Sequence, residues 1–236
     1  MKDRLIVALD FNTIAEAKRF IDKTSDLVGF YKVGSVLFTK AGPQIVRFLK
    51  RRGAKVFLDL KFHDIPSVVA GAAQVCTLLG VDMFNLHLLT GFQTLEQTLK
   101  GVLGIAAKRG LKKPLILGVT ILTSMSEASF KDIFGTTYSL AEKVILLARL
   151  AKSAGLDGVI ASPFEIEEIK RACGEDFTVV CPGIRPKDER AYDQARFMTP
   201  KEAIERGADY IVVGRPIIRA KEPREIIKRI QEELSL

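Results

Sequence analysis

The sequence predicts an α/β protein folded as one (β/α)8 barrel, and three observations carry that prediction. Short β-rich runs alternate with segments of helical periodicity, which implies a mostly parallel sheet covered by helices. Eight such pairs fit within 236 residues, about the length that a barrel of this kind needs. No composition break, Pro-rich linker or low-complexity tract divides the chain, so a single domain is expected across residues 1–236. An open doubly wound sheet is the alternative architecture. It is disfavoured because no Gly-x-Gly-x-x-Gly fingerprint follows the first apolar run.

The first run, Leu5 to Leu9, ends in Asp10. Thr13-Ile14-Ala15-Glu16 then has the form of a capping box and opens the first helix. The second run, Gly29 to Val33, holds Lys32 among apolar neighbours. A lone strand lysine is often an edge residue that snorkels to water, but the mouth of a barrel makes it a candidate for function. Gly53 precedes the third run, Lys55 to Leu60, and Pro66 suits the first turn of the next helix, where its missing N–H costs nothing. Met83 to Leu88 and Leu115 to Val119 form the fourth and fifth runs. A hydroxyl-rich loop, Thr120 to Met125, follows the fifth. Leu140 to Leu150 carries an apolar stripe of helical spacing. The last three strands are expected at Gly158 to Ala161, Thr178 to Cys181 and Tyr210 to Val213. Ile226, Ile227 and Ile230 then mark an amphipathic helix after Pro223.

Composition excludes several classes. The longest apolar runs fall far short of a membrane span, and the chain enters a strand at once, so neither a signal peptide nor a transmembrane helix is expected. A net charge of +8 raises a nucleic-acid reading. The cations are spread over helix-like segments such as Lys50-Arg51-Arg52 instead of forming one recognition element, which favours solvated faces and a small anionic substrate. Cys76, Cys173 and Cys181 are odd in number and lack metal-ligand spacing, as expected of core thiols in a reducing, cytoplasmic setting. With His63 and His87 the only histidines, no metal site is expected.

The polar residues gather at strand ends. Alternation places Phe57, Asp59 and Lys61 on one side of the third strand, with Asp64 in the loop beyond. Two carboxylates bracketing an ammonium are costly at a strand end unless they are paired or used. A structural ion pair and an active site both satisfy that condition. The seventh and eighth strands lead into Cys181-Pro182-Gly183-Ile184-Arg185 and Val213-Gly214-Arg215-Pro216. Gly-containing loops at those two strands commonly hold phosphate in such barrels, and Arg185 and Arg215 reinforce that reading.

Asp59-x-Lys61-x-x-Asp64-Ile65-Pro66 resembles the signature of the orotidine 5'-phosphate decarboxylase family. The similarity extends along nearly the whole chain, through Ala8-Leu9-Asp10, Tyr31-Lys32-Val33-Gly34 and Leu122-Thr123-Ser124-Met125. It continues in Pro182-Gly183-Ile184-Arg185, Asp193-Gln194-Ala195-Arg196 and Val213-Gly214-Arg215-Pro216. The resemblance implies decarboxylation of orotidine 5'-phosphate to uridine 5'-phosphate without metal or organic cofactor. It implies that Lys61 donates the proton to carbon 6, within a charge array of Lys32, Asp59, Lys61 and the Asp64 of a partner subunit. Asp10 and Lys32 would meet the ribose, Thr123 and Ser124 the pyrimidine, and Arg185, Gln194, Gly214 and Arg215 the phosphate. The segment from Pro186 to Ala195 would close over the substrate. Asp64 and Ile65 would reach into the neighbouring site of a homodimer.

One position departs from the pattern. Many bacterial members carry a threonine where this chain has Val68, which packing on a helix explains best. Two rivals stand beside the family reading. A magnesium-dependent sugar-phosphate relative shares the Asp-x-Lys-x-x-Asp group but has an acidic residue where Lys32 lies, and Lys32 would repel the cation. A non-catalytic barrel would be expected to have lost the central charges, which are all present.

Overall fold

The computed structural model of the chain describes residues 4–186 and 198–234. Strands β1 (Leu5–Ala8), β2 (Phe30–Gly34), β3 (Lys55–Phe62), β4 (Met83–His87), β5 (Leu115–Val119), β6 (Gly158–Ile160), β7 (Thr178–Cys181) and β8 (Tyr210–Val213) pair in chain order. All pairings are parallel, and the β1–β8 ladder closes the barrel, which rules out the open sheet. Between and after the strands run α1 (Ile14–Thr24), α2 (Ser35–Ala41), α3 (Pro43–Arg51), α4 (Pro66–Leu78), α5 (Phe92–Arg109), α6 (Glu127–Phe134) and α7 (Leu140–Ser153). The later helices are α8 (Ile166–Cys173), α9 (Pro200–Glu205), α10 (Arg215–Ile218) and α11 (Pro223–Glu233).

Local chemistry sets the helix ends. The Thr13 hydroxyl accepts from the Glu16 N–H at 3.2 Å, as the first-helix pattern predicts, and donates to the Glu16 carboxylate. Fully reciprocal boxes, in which the glutamate also reaches back to the cap N–H, join Ser139 to Glu142 and Thr199 to Glu202. Pro66 and Pro223 both lie in the first turn of their helices, where a missing N–H is no loss.

Strand alternation divides the apolar residues into two layers. Ile6, Ala8, Phe30, Phe57, Met83, Leu117, Val119, Ile160, Val180 and Val212 pack inside the barrel. Their sequence neighbours Val7, Tyr31, Leu58, Phe84 and Val179 belong to the larger core that includes the helices. This parity positions the site. Continuing each inward row toward the C-terminal mouth gives Asp10 after Ala8, Lys32 after Phe30, Asp59 after Phe57 and Asn85 after Met83.

The opposite end of the barrel carries a device that repeats. Asp82, Asp157 and Asp209 each stand just before an even-numbered strand and two residues after a glycine of positive φ, namely Gly80, Gly155 and Gly207. Each aspartate N–H donates to the carbonyl of the second residue of the preceding strand (Val56, Ile116 or Val179). Its carboxylate accepts from the N–H of that same residue at 2.7–2.8 Å. One lysine completes each ring: Lys50 on Asp82, Lys113 on Asp157 and Lys170 on Asp209.

Candidate active site

Strand β3 extends two residues past the predicted Leu60, and the reason lies in its pairing with β4. Leu58 stands opposite Phe84, but Phe62 stands opposite Leu86. Four steps along β3 therefore match two along β4, and the surplus chain bulges at residues 59–61. Lys61 adopts φ 51, the sole positive φ of a non-glycine residue in the described chain. An L-residue in that region costs roughly 1–2 kcal/mol, so surrounding contacts must hold it there.

Those contacts centre on Asp59, which is buried. Its Oδ1 accepts from Lys61 Nζ at 2.6 Å and from Asn85 Nδ2 at 2.6 Å. The other oxygen, Oδ2, lies 3.1 Å from Lys32 Nζ. Lys32 in turn lies 3.5 Å from Asp10 Oδ1, so four consecutive groups alternate in sign: Asp10, Lys32, Asp59, Lys61. Burial raises the Asp59 pKa, but the charges of Lys32 and Lys61 and the hydrogen bonds from Lys61 and Asn85 outweigh it. The carboxyl is held below its usual range. Gly34 leaves room for the array, because a Cβ there would meet Lys32 Nζ at 2.9 Å.

Of the residues singled out from the sequence, the structure therefore brings Asp10, Lys32, Asp59 and Lys61 into one group. Gly214, at the end of β8, borders it: a Cβ on Gly214 would lie 3.5 Å from Asp10 Oδ2. Arg215 begins α10, and Arg185 follows β7, where its N–H pairs with the Met198 carbonyl. Thr123 and Ser124 line a cavity of about 790 Å³ with Leu122, Ser162, Pro182 and Gly183, between the ends of β5, β6 and β7. Gln194 and most of the segment expected to close over the site lie outside the described residues. Asp64 stays apart from the array: it is exposed, and its carboxylate accepts from the Ile65 N–H at 2.7 Å. Ile65 is 62% exposed beside it.

Two features went unread in the sequence. Asn85 is wholly buried and joins the array, and its position two residues after the inward-facing Met83 was the available signal. His63 and His87 stack with ring centroids 5.0 Å apart. Burial, then the neighbouring His63 and Lys61, hold the His87 pKa below its ordinary value, favouring the neutral ring. Among the described residues no group of three or more His, Cys, Asp or Glu side chains is placed to hold a metal ion. None of their helices is long and apolar enough to cross a membrane.

Fold and site together define a (β/α)8 barrel with an alternating ionic array at its C-terminal mouth, the face where such barrels carry their chemistry. The model of the orotidine 5'-phosphate decarboxylase / HUMPS family matches residues 3–230, and the chain belongs to that family. Orotidine 5'-phosphate decarboxylase of Moorella thermoacetica is 45% identical, over 100% of this chain and 93% of its own length. The enzyme of the same name from Syntrophotalea carbinolica is 47% identical, over 99% of this chain and 96% of its own. The crystal structure of orotidine 5'-phosphate decarboxylase from Lactobacillus acidophilus superposes with a TM-score of 0.86 at 37% identity, covering 98% of this chain and 99% of that one.

Proposed function

We propose that the chain decarboxylates orotidine 5'-phosphate to uridine 5'-phosphate, in the cytoplasm, as a step of pyrimidine biosynthesis. The observation that carries this reading is the Lys32–Asp59–Lys61 array, in which one buried carboxylate is held between two ammonium groups. In the reaction the bond from carbon 6 to the carboxylate breaks, carbon dioxide leaves, and the electron pair stays on carbon 6. Lys61 donates a proton to that carbon and recovers one from water. A developing carbanion needs a nearby fixed cation, and an ion-paired lysine supplies both the charge and the proton.

Asp59 holds Lys61 in position and stands beside the departing carboxylate. Asp10 and Lys32 meet the ribose, and Thr123 and Ser124 the pyrimidine edge. Arg185, Gln194, Gly214 and Arg215 take the phosphate. Because that phosphate does not react, its binding energy can serve to stabilise the transition state.

Asp64 completes the array from a second copy of the chain. Val75, Leu78 and Leu103 are exposed apolar residues on the adjacent helices α4 and α5, with Ile65 and Val68 at the end of α4 next to Asp64. A patch of that kind is typical of a protein interface, and a two-fold dimer is the simplest arrangement that covers it.

A sugar-phosphate enzyme needing magnesium is the rival within the same family. Against it, both Asp59 oxygens already face ammonium groups, and Lys32 repels a divalent cation. The test is a spectrophotometric assay of orotidylate consumption after exhaustive chelation. Full activity is expected. Activity that vanishes on chelation and returns with magnesium would select the rival.

A further inference from the structure

The amide of Asn85 is used at both ends. Its Nδ2 donates to Asp59 Oδ1 at 2.6 Å, and its Oδ1 accepts from the Lys61 N–H at 2.8 Å. It is 0% exposed and stands opposite the bulge, in the gap between the Leu58–Phe84 and Phe62–Leu86 pairings. The N–H it receives belongs to the residue held at φ 51. That N–H has lost its regular ladder partner to the register shift, and a buried backbone donor without one is costly. Neither leucine nor aspartate could replace the residue: leucine offers no polar atom, and an ionised aspartate offers no donor to a second carboxylate.

We infer that Asn85 is a positioning residue for the charge array, a single amide that fixes both the Asp59 carboxylate and the strained backbone from which Lys61 projects. Its kinetic consequence rests on the decarboxylase reading above; its geometry does not. Without the amide, Lys61 can relax toward ordinary strand dihedrals, and Asp59 Oδ1 keeps only the flexible ammonium. An ångström of misplacement at a reacting group can cost about a hundredfold in rate. The proposed phosphate and ribose contacts come from β1, β2, β7 and β8 and remain in place.

The experiment uses the full chain with Asn85→Leu, close in volume, and Asn85→Ala. Both variants should lose roughly 10- to 100-fold in kcat, the range of a hydrogen bond to a charged group together with its geometric effect, with KM for orotidylate changed less than about threefold. A second readout needs no substrate. Carbon-13 NMR of the Asp59 carboxyl should show its titration moved upward in the variants, because the carboxylate loses the Asn85 hydrogen bond and its pairing with Lys61 loosens. The charged groups facing it are Lys32 from β2, Lys61 from β3 and, behind Lys32, Asp10. A kcat within threefold of the wild type, an unmoved Asp59 titration, or failure of both variants to fold would overturn the inference and leave Asn85 a core residue. Should the wild type not act on orotidylate at all, the functional reading falls, and the carboxyl titration still decides the role of Asn85.

Discussion

At the N-terminal end of the barrel, Asp82, Asp157 and Asp209 each take one lysine and one backbone N–H. At the C-terminal end, Asp59 takes two lysines and an asparagine amide. Both ends are built from aspartate and lysine in equal numbers, yet they differ in how the charges are connected. Each lower carboxylate is neutralised one to one and locked into a ring with the strand backbone. The upper carboxylate shares its charge along an open chain, Asp10–Lys32–Asp59–Lys61, whose terminal lysine, with 38% of the side chain exposed, faces the open mouth. An Asp–Lys pair is structural when a ring closes off both charges, and is open to chemistry when a fixed lysine is held on one side only. Asp59, with its pKa depressed, contributes its ion-pair stability at neutral pH and loses it only as the pH falls through that depressed value.

The sharpest way to break this contrast is to remove a lysine from the upper end. Lys61→Ala should lower turnover by more than about 10⁴-fold, since under the proposed mechanism it deletes both the proton donor and a fixed cation, while thermal stability and uridylate binding change little. Near-normal turnover would make the upper array as structural as the lower one. Mixing Lys61→Ala with Asp64→Ala protein should then restore activity. A mixed dimer has one site with both lesions and one with neither, so free exchange leaves about a quarter of all sites intact. No recovery despite demonstrated subunit exchange would assign Asp64 to its own chain.

The lower end should give the mirror-image result. Asp209→Ala strands Lys170, whose side chain is only 6% exposed, and unpairing a buried charge costs roughly 3–5 kcal/mol. Lys170 also donates to the Glu175 and Phe177 carbonyls, which places the effect toward the low end of that range. Asp82→Ala, whose partner Lys50 is a third exposed, should cost about 1 kcal/mol. In both, denaturant midpoints would drop while kcat of the folded fraction holds. A loss of kcat without loss of stability would dissolve the distinction between the two ends.

The two ends were also unequally legible in the sequence. The strand count followed from apolar runs, as did every boundary to within one residue except the end of β3, and Asp10, Lys32, Asp59 and Lys61 stood out because charge inside such runs demands a reason. The bulge did not stand out. A period of two puts Asp59 and Lys61 on one face, but only the partner strand reveals that two extra residues and a positive φ bring Lys61 back onto Asp59. Asn85 passed unnoticed because an uncharged amide in an apolar run carries little signal until its partners are known. The lower aspartates were readable in principle, as Gly-x-Asp recurs at Gly80, Gly155 and Gly207. Their bonds cross between neighbouring strands some 26 to 41 positions apart, so no local window joins them.

The smallest expected effect concerns Val68, in the first turn of α4 and 49% exposed on the face assigned to the dimer. Its neighbours Asp64 and Ile65 would reach the partner's site, so a hydroxyl at position 68 would face the same substrate. One net hydrogen bond is worth roughly 0.5–1.5 kcal/mol, or about two- to twelvefold in affinity. Val68→Thr should therefore lower KM for orotidylate within that range, or leave it unchanged where a water or backbone amide already fills the role. The turnover number should hold, because a contact made equally in ground and transition states changes binding alone. Steady-state kinetics on the variant checks both values. A large rise in kcat would move position 68, and the helix end that carries it, from the binding surface into the chemical step.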